Sequence, residues 1–235
     1  MIRNNALSPK AVIGFYNAKT INDNDIELSS NGAHVTTLNM LRSQRTMQKA
    51  DSPNPSLSDY ISPDGNDYMG AFVVTAGHVD EYIKKFEKDN DDYSIIMAKA
   101  IADRFAEALA EFMHYEVRTH YWGHSKNESL SKEEIIKEKY QGIRPAPGYA
   151  ACPDHTEKGK LFNILSATEN IDVILTESFA MYPASSVSGW YIAHPEAKYF
   201  NVGKIERDQV SDYAKRKSMS LSETEKWLSP LLNYK

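Results

Sequence analysis

The chain has 235 residues, of which 41% are hydrophobic and 25% charged, a composition typical of a soluble globular protein of one large or two small domains. Its formal net charge of −5 and its lack of long basic clusters argue against a nucleic-acid-binding face. No apolar run is long enough for a membrane span, and the lone cysteine, Cys152, favours a reducing compartment. We therefore expect a cytoplasmic protein without nucleic-acid or membrane partners.

The N-terminal quarter is predicted to contain paired strands and one helix. After a loose N-terminus at residues 1–10, short strands are expected at 11–16 and 25–28, joined by an Asn/Asp turn. Residues 35–47 carry apolar side chains at helical spacing and are predicted as one helix.

A connector rich in proline, serine and asparagine over residues 51–63 leads to the next predicted elements. A strand is expected at 70–75 and a helix at 79–88, followed by a long helix from Asp91 to about residue 122 with a buried apolar stripe. Three carboxylates four residues apart form an acidic row on this helix, for which a solvated face is the ordinary explanation: Asp103, Glu107 and Glu111.

In the second half, residues 131–134 and 154–157 have the pattern of capping boxes that begin short helices. The remaining predictions are strands at residues 173–176, 186–193 and 199–202 and helices at residues 207–217 and 222–232. Strands at both ends of the chain, with helices between them, indicate an α+β fold.

Residues 140–155 form a poor helix and a poor strand, because they combine turn-forming residues and aromatic rings with one arginine. Arg144 and Ala146 each precede a proline and so favour extended backbone. Gly148 permits a positive φ or a close backbone approach, and the ring of Tyr149 follows. The pattern fits either a rigid loop that holds a small polar ligand or a structural crossing between two elements.

The sequence gives little support for a catalytic or a metal site. Cys152 and His155 are three residues apart and suggest a nucleophilic methyltransferase or hydrolase, but Pro153 lies between them and no third orienting residue is identifiable. His120 and His124 have helical spacing without the carboxylate of a zinc motif. The sequence also lacks a Walker loop and a G-x-G-x-x-G motif. We expect a binding site with no catalytic residue and no metal.

The segment Arg144-Pro-Ala-Pro-Gly-Tyr149, followed by Ala151-Cys-Pro-Asp-His-Thr-Glu157, closely resembles the S-adenosylmethionine-binding loop of the activation domain of cobalamin-dependent methionine synthase. The resemblance covers roughly residues 11–235. Further motifs stand in the family's order and spacing: Asp91-Asp-Tyr93, Tyr121-Trp-Gly123, Tyr140-Gln-Gly142, Thr176-Glu-Ser-Phe-Ala-Met181, Ser186-Val-Ser-Gly-Trp190 and Trp227-Leu-Ser-Pro230.

The resemblance implies a single α+β domain over residues 11–235, with a twisted antiparallel sheet flanked by helices and a long central helical segment. It implies a module that binds S-adenosyl-L-methionine and supports reductive methylation of cob(II)alamin to methylcobalamin on the cobalamin-binding module of methionine synthase. Flavodoxin or a flavoprotein reductase would be the electron donor. A non-catalytic interaction domain that docks on a cobalamin-carrying partner is the alternative.

The resemblance also implies roles for individual residues. Asp59 should hold the ligand's ammonium and Arg144 its carboxylate. The remaining implied positions are backbone groups of Ala146 and Gly148 for the nucleoside, Tyr199 and Phe200 lining the groove, Tyr149 facing the corrin, and acidic Glu107, Glu138 and Asp103 beside the site. Methyl transfer requires positioning and no general base, which agrees with the lack of a catalytic triad.

The sequence departs from the family pattern in three respects. Ala150 stands where the family usually has proline, which would loosen the loop. Phe200 replaces a tyrosine, so any hydroxyl contact at that position is lost. The chain has no D-x-H-x-x-G cobalamin signature. We therefore expect it to act on cobalamin held by a partner module, and not to make methionine alone.

Overall fold

The computed structural model describes residues 7–45 and 53–234, which form two compact units. Of the described residues, unit 1 comprises 7–14, 71–140 and 161–189, and unit 2 comprises 15–45, 53–70, 141–160 and 190–234. The single domain predicted over residues 11–235 stays a prediction. Of the predicted loose N-terminus, residues 1–6 lie outside the described residues.

The fold is α+β with an antiparallel five-stranded sheet, which confirms the predicted class. The strand order in the sheet is β3-β2-β1-β4-β7, and β5 and β6 form a separate two-stranded sheet. The strands are β1 (Lys10–Ile21), β2 (Asp25–Ser30), β3 (Ala33–Asn39), β4 (Asp67–Thr75), β5 (Ile174–Leu175), β6 (Met181–Tyr182) and β7 (Ser186–Tyr191).

The helices include the long central segment that the resemblance implied, here α2. In chain order they are α1 (Asp80–Lys88), α2 (Asp92–Glu116), α3 (Lys132–Ile136), α4 (Glu157–Leu165), α5 (Ala167–Ile171), α6 (Arg207–Lys217) and α7 (Leu221–Leu228). A π-helical turn follows α2 at Val117–Tyr121, and 3₁₀ turns lie at Leu57–Tyr60 and Ser229–Leu231. Within residues 7–45 and 53–234, no helix is both long and apolar enough to cross a bilayer.

Strands β1 and β2 form the predicted antiparallel hairpin, with Ile21 opposite Asp25. Asn22 and Asp23 in its turn have φ values of 50° and 60°, and asparagine and aspartate tolerate this left-handed region better than other residues with a side chain. Ile26 and Leu28 on β2 are fully buried. The hairpin therefore has both a local turn signal and an apolar face.

The helix predicted at residues 35–47 is wrong where the structure describes it, because residues 33–39 form strand β3 paired with β2. Met47 lies outside the described residues. Asn31 and Gly32, with φ values of 51° and 78°, form a tight turn typical of a hairpin. This Asn-Gly signal, followed by β-branched residues, outweighs the helical spacing of Leu38 and its apolar neighbours.

The strand predicted at residues 199–202 is also wrong, since these residues are irregular. Val202 is nevertheless buried, and its N–H donates to the Ala150 carbonyl at 3.0 Å.

The capping box predicted at Ser131 is confirmed by reciprocal hydrogen bonds with Glu134 of 3.3 and 3.1 Å.

The capping box predicted at Asp154 is wrong. Its Oδ1 accepts from the Thr156 N–H at 2.8 Å, and the Glu157 side chain contacts lysines instead of turning back to Asp154. The other predicted elements are present with changed bounds: α6 matches residues 207–217, whereas β5 and α7 are shorter than expected, and α5 and β6 were not predicted.

Each unit has its own apolar core. In unit 1, Ala98, Ala102 and Ala106 are buried at four-residue intervals on α2 and pack with Val79 and Ile83. Small side chains at this spacing allow neighbouring elements to approach closely. In unit 2 one buried cluster consists of Leu41, Val202, Ile205, Val210, Tyr213 and Leu228.

A buried charge cluster in unit 2 joins the segment that follows residues 142–153, here called the proline-rich loop, to helix α6. The Nζ of Lys217, in the last turn of α6, lies 2.6 Å from Asp154 Oδ2 and also contacts Glu157 Oε1. The Tyr213 hydroxyl donates to Asp154 Oδ2 at 2.7 Å, and Lys160 Nζ lies 2.8 Å from Glu157 Oε1. We refer to these five side chains as the charge cluster.

Within the charge cluster, charge pairing outweighs burial in setting the pKa values of Asp154 and Lys217. Burial alone would raise the pKa of Asp154, but the Lys217 ammonium and its hydrogen bond hold that pKa below its usual value. Burial would likewise lower the pKa of Lys217, and the charges of Glu157 and Asp154 raise it instead. Both groups are therefore ionised at neutral pH.

We expect Lys217→Met to lower the free energy of unfolding by about 3–5 kcal/mol, because the substitution leaves two buried carboxylates without their main counter-ion. Chemical denaturation at neutral pH measures this loss. Lys215→Met, at an exposed position on the same helix, is the control and should leave stability nearly unchanged. Equal stabilities of the two variants would contradict the assigned role of the charge cluster.

The difference in stability between the wild type and Lys217→Met should shrink as the pH falls from about 7 to about 3. In the wild type, the lowered pKa of Asp154 contributes stability above the unfolded-state pKa, and this contribution is lost as the pH falls through the folded-state value. In the variant, Asp154 lacks the Lys217 charge that lowers its pKa, so it binds a proton more readily in the folded state and its burial costs less stability in acid than at neutral pH. Denaturant titrations across this range test the trend, and a constant difference would refute it.

Candidate functional site

The proline-rich loop enters along an antiparallel contact with the chain after β7. Ile143 and Ile192 exchange backbone hydrogen bonds of 2.9 and 3.0 Å, and the Trp190 N–H donates to the Pro145 carbonyl at 2.9 Å. Gly142 has a φ of 90°, and a Cβ there would lie 2.5 Å from the Ile192 carbonyl oxygen. Only glycine therefore fits this close approach.

The tip of the loop is folded on itself. The Gly148 N–H donates to the Cys152 carbonyl at 2.7 Å, and the Cys152 N–H donates to the Tyr149 carbonyl at 3.0 Å. The Tyr149 N–H donates to the Ala146 carbonyl at 3.2 Å. Gly148 has a φ of 94°, and a Cβ there would lie 2.4 Å from Cε1 of His155. The loop is thus held in one conformation by its own backbone and by the ring of His155.

Three segments of unit 2, one of them part of this loop, lie next to one another. The Arg144 N–H donates to the Tyr199 hydroxyl at 3.0 Å. The Tyr60 hydroxyl donates to the Lys198 carbonyl at 3.4 Å, and the Tyr60 ring lies 5.8 Å from that of His194. Residues 57–60, 143–149 and 194–200 are therefore neighbours, so the segments that carry the predicted contacts for ammonium, carboxylate and nucleoside converge.

Side-chain exposure in this region suits a binding site. Arg144, Ala146, Gly148 and Phe200 are half-buried. Tyr199 is 43% exposed and Tyr149 is 70% exposed, so the Tyr149 ring can be reached by a partner molecule. Since the Gly148 N–H is bonded within the loop, its carbonyl is the backbone group better placed for an outside contact.

Asp59 has a partner that the sequence did not indicate. Its carboxylate pairs with the Arg42 guanidinium through two hydrogen bonds of 2.7 Å, and its Oδ2 also accepts from the Ser56 N–H at 2.8 Å. Arg42 is 17 residues away in a segment predicted as a helix, so no local pattern joined the two residues.

The three acidic residues expected beside the site belong to unit 1. Asp103 and Glu107 lie on α2, and Glu138 follows α3 with a φ of 52°. The Asp103 carboxylate accepts a hydrogen bond from the Ser185 hydroxyl at 2.6 Å. Glu107 is exposed. Their predicted place beside the ligand stays a prediction.

Cys152 is poorly suited to nucleophilic catalysis. Burial, followed by the negative charges of Glu157 and Asp154, raises the pKa of its thiol, whereas a nucleophilic cysteine requires the thiolate. Burial and the nearby Lys158 ammonium lower the pKa of His155. In the part of the chain that the structure describes, no three His, Cys, Asp or Glu side chains are grouped to hold a metal ion. The raised pKa of Cys152 therefore speaks against the Cys152–His155 nucleophile considered from the sequence.

Comparisons with known proteins show the family of this chain. A family model described as vitamin B12 dependent methionine synthase, activation domain, matches residues 1–218. A crystal structure of the MetH reactivation domain bound to AdoHcy is 47% identical, with a TM-score of 0.94, and the match covers 99% of this chain and 73% of that chain. The chain therefore belongs to the family of activation domains of vitamin B12-dependent methionine synthase.

Proposed function

We propose that this chain binds S-adenosylmethionine in unit 2 and so supports reductive methylation of the cobalamin of methionine synthase. The observation that carries the proposal is the convergence of residues 57–60, 143–149 and 194–200. The similar MetH reactivation domain was crystallised with AdoHcy, the demethylated form of the same ligand, which supports the choice of ligand.

The residues fit the amino-acid tail of such a ligand. Arg144 would pair with the tail carboxylate, because a guanidinium offers two parallel N–H groups to a carboxylate. Asp59 would accept from the tail ammonium. Side chains of opposite charge at the two ends of the ligand's zwitterionic tail would set the orientation of the ligand and contribute to its affinity.

The other predicted contacts orient the rest of the ligand. Ala146 and Gly148 would contact the nucleoside through their backbone, and Tyr199 and Phe200 would line the groove around it. When bound, S-adenosylmethionine supplies the methyl group that the partner's reduced cobalamin receives. The exposed ring of Tyr149 would face the corrin.

Membership of the family also suggests an activity, an electron donor and a location. We propose that the chain acts as part of a cobalamin-dependent 5-methyltetrahydrofolate–homocysteine methyltransferase, with flavodoxin or a flavoprotein reductase as the electron donor, in the cytoplasm. The alternative of a non-catalytic interaction domain is not favoured, because the similar reactivation domain holds AdoHcy.

We expect Arg144→Ala to weaken binding of S-adenosylhomocysteine by about 10- to 100-fold, because the carboxylate loses a charge-assisted pair. Isothermal titration calorimetry on the 235-residue chain measures the change. Arg207→Ala, at the exposed start of α6, is the control for loss of one positive charge. Equal affinities for the Arg144 variant and the wild type would remove Arg144 from the site.

We expect Gly148→Ala to weaken the same binding by about tenfold or more, because the new Cβ would collide with the His155 ring and displace the loop. Gly32→Ala is the matched control. Gly32 also has a positive φ, 78°, but a Cβ there meets no atom within 4 Å. Both variants carry backbone strain, so thermal unfolding should show a lower stability for each. Only the Gly148 variant should lose affinity. If both bind like the wild type, the loop does not hold the ligand.

A further inference from the structure

Arg42 follows β3, and its guanidinium has an acceptor for each of its five N–H groups. Its Nε–H donates to Asn24 Oδ1 at 3.0 Å. Its Nη1 donates to the Asn54 carbonyl and to Asp59 Oδ2, both at 2.7 Å. Its Nη2 donates to the Asp23 carbonyl and to Asp59 Oδ1, also at 2.7 Å. Since a guanidinium has five donors, Arg42 has none left for a ligand.

The carboxylate of Asp59 is restricted in turn. Oδ2 accepts from Arg42 and from the Ser56 N–H, and Oδ1 accepts from Arg42. A carboxylate has about four acceptor positions, so among the described residues these three bonds leave one, on Oδ1. The Asp59 side chain is 39% exposed, so the carboxylate is not sealed off from an outside donor.

The pairing also changes what kind of group Asp59 can recognise. Arg42 and Asp59 together carry no net charge, so a cation is attracted less strongly than by a lone carboxylate. Recognition then depends mainly on the direction of a single hydrogen bond, and therefore on the orientation of the Asp59 side chain. Arg42 holds that orientation with two parallel bonds.

We propose that Arg42 is a positioning residue for the amino end of the ligand. It does not touch the ligand, but it orients Asp59 so that one acceptor position receives an N–H of the ligand's α-ammonium. The site therefore selects ligands of the S-adenosyl amino-acid class that carry a free α-amino group. This inference rests on the proposed function, because it assumes that Asp59 contacts that group.

The test compares S-adenosylhomocysteine with its analogue that lacks the α-amino group, by calorimetry on the 235-residue chain. We define the amino preference as the ratio of the two affinities. In the wild type we expect a preference of about 10- to 100-fold. Arg42→Gln should reduce it to nearly that of Asp59→Asn, and the double variant should show no further reduction. Arg45→Gln, three residues further along the chain, is the control and should keep the wild-type preference.

The outcomes separate the two hypotheses. If the wild type binds S-adenosylhomocysteine and Arg42→Gln weakens both ligands equally, the amino preference is unchanged and Arg42 is only structural, which overturns the inference alone. If the wild type binds neither ligand, the proposed function fails and the inference fails with it. Arg42→Lys keeps the charge without the two-pronged geometry, so it covers the case in which the glutamine variant does not fold. Its amino preference should also fall, and an unchanged value would overturn the inference.

Discussion

The pairing of Lys217 with Asp154 and Glu157 is the interaction on which the site depends most directly. The two carboxylates immediately follow the proline-rich loop, and both are buried. Buried carboxylates are tolerated only when a counter-charge and hydrogen bonds compensate for lost hydration. The compensation comes from α6, 63 residues beyond Asp154. The end of the loop is therefore held by a helix near the C-terminus.

The loop has few conformations available to it. Prolines at 145 and 147 restrict φ, Gly142 and Gly148 occupy positions where a Cβ would collide with neighbouring atoms, and hydrogen bonds close the tip. A loop that is ordered before binding loses less conformational entropy when a ligand arrives. For a reaction that requires the placement of a methyl group and no proton transfer, this order is the main contribution that the protein can make.

The accuracy of the secondary-structure predictions followed the strength of local signals. The first hairpin, α2 and α6 were predicted because their turns, end residues and apolar periodicity agree with one another. Residues 33–39 were misassigned because the apolar residues that follow the Asn-Gly turn also fit helical spacing. The strand predicted at residues 199–202 does not form: Val202 packs into the buried cluster of unit 2, but the segment does not pair with a neighbouring strand.

The sequence by itself determined the α+β class, the membership of the activation-domain family, and the loop with its arginine, prolines and glycines, because these depend on residue type and local order. Only the tertiary structure revealed that Arg42 and the Ser56 N–H together fill three of the about four acceptor positions of Asp59. It also revealed that Lys217 pairs with Asp154 at the end of the loop. These partners are 17 and 63 residues apart. The energies of such pairs depend on distance and burial, and the fold alone sets both.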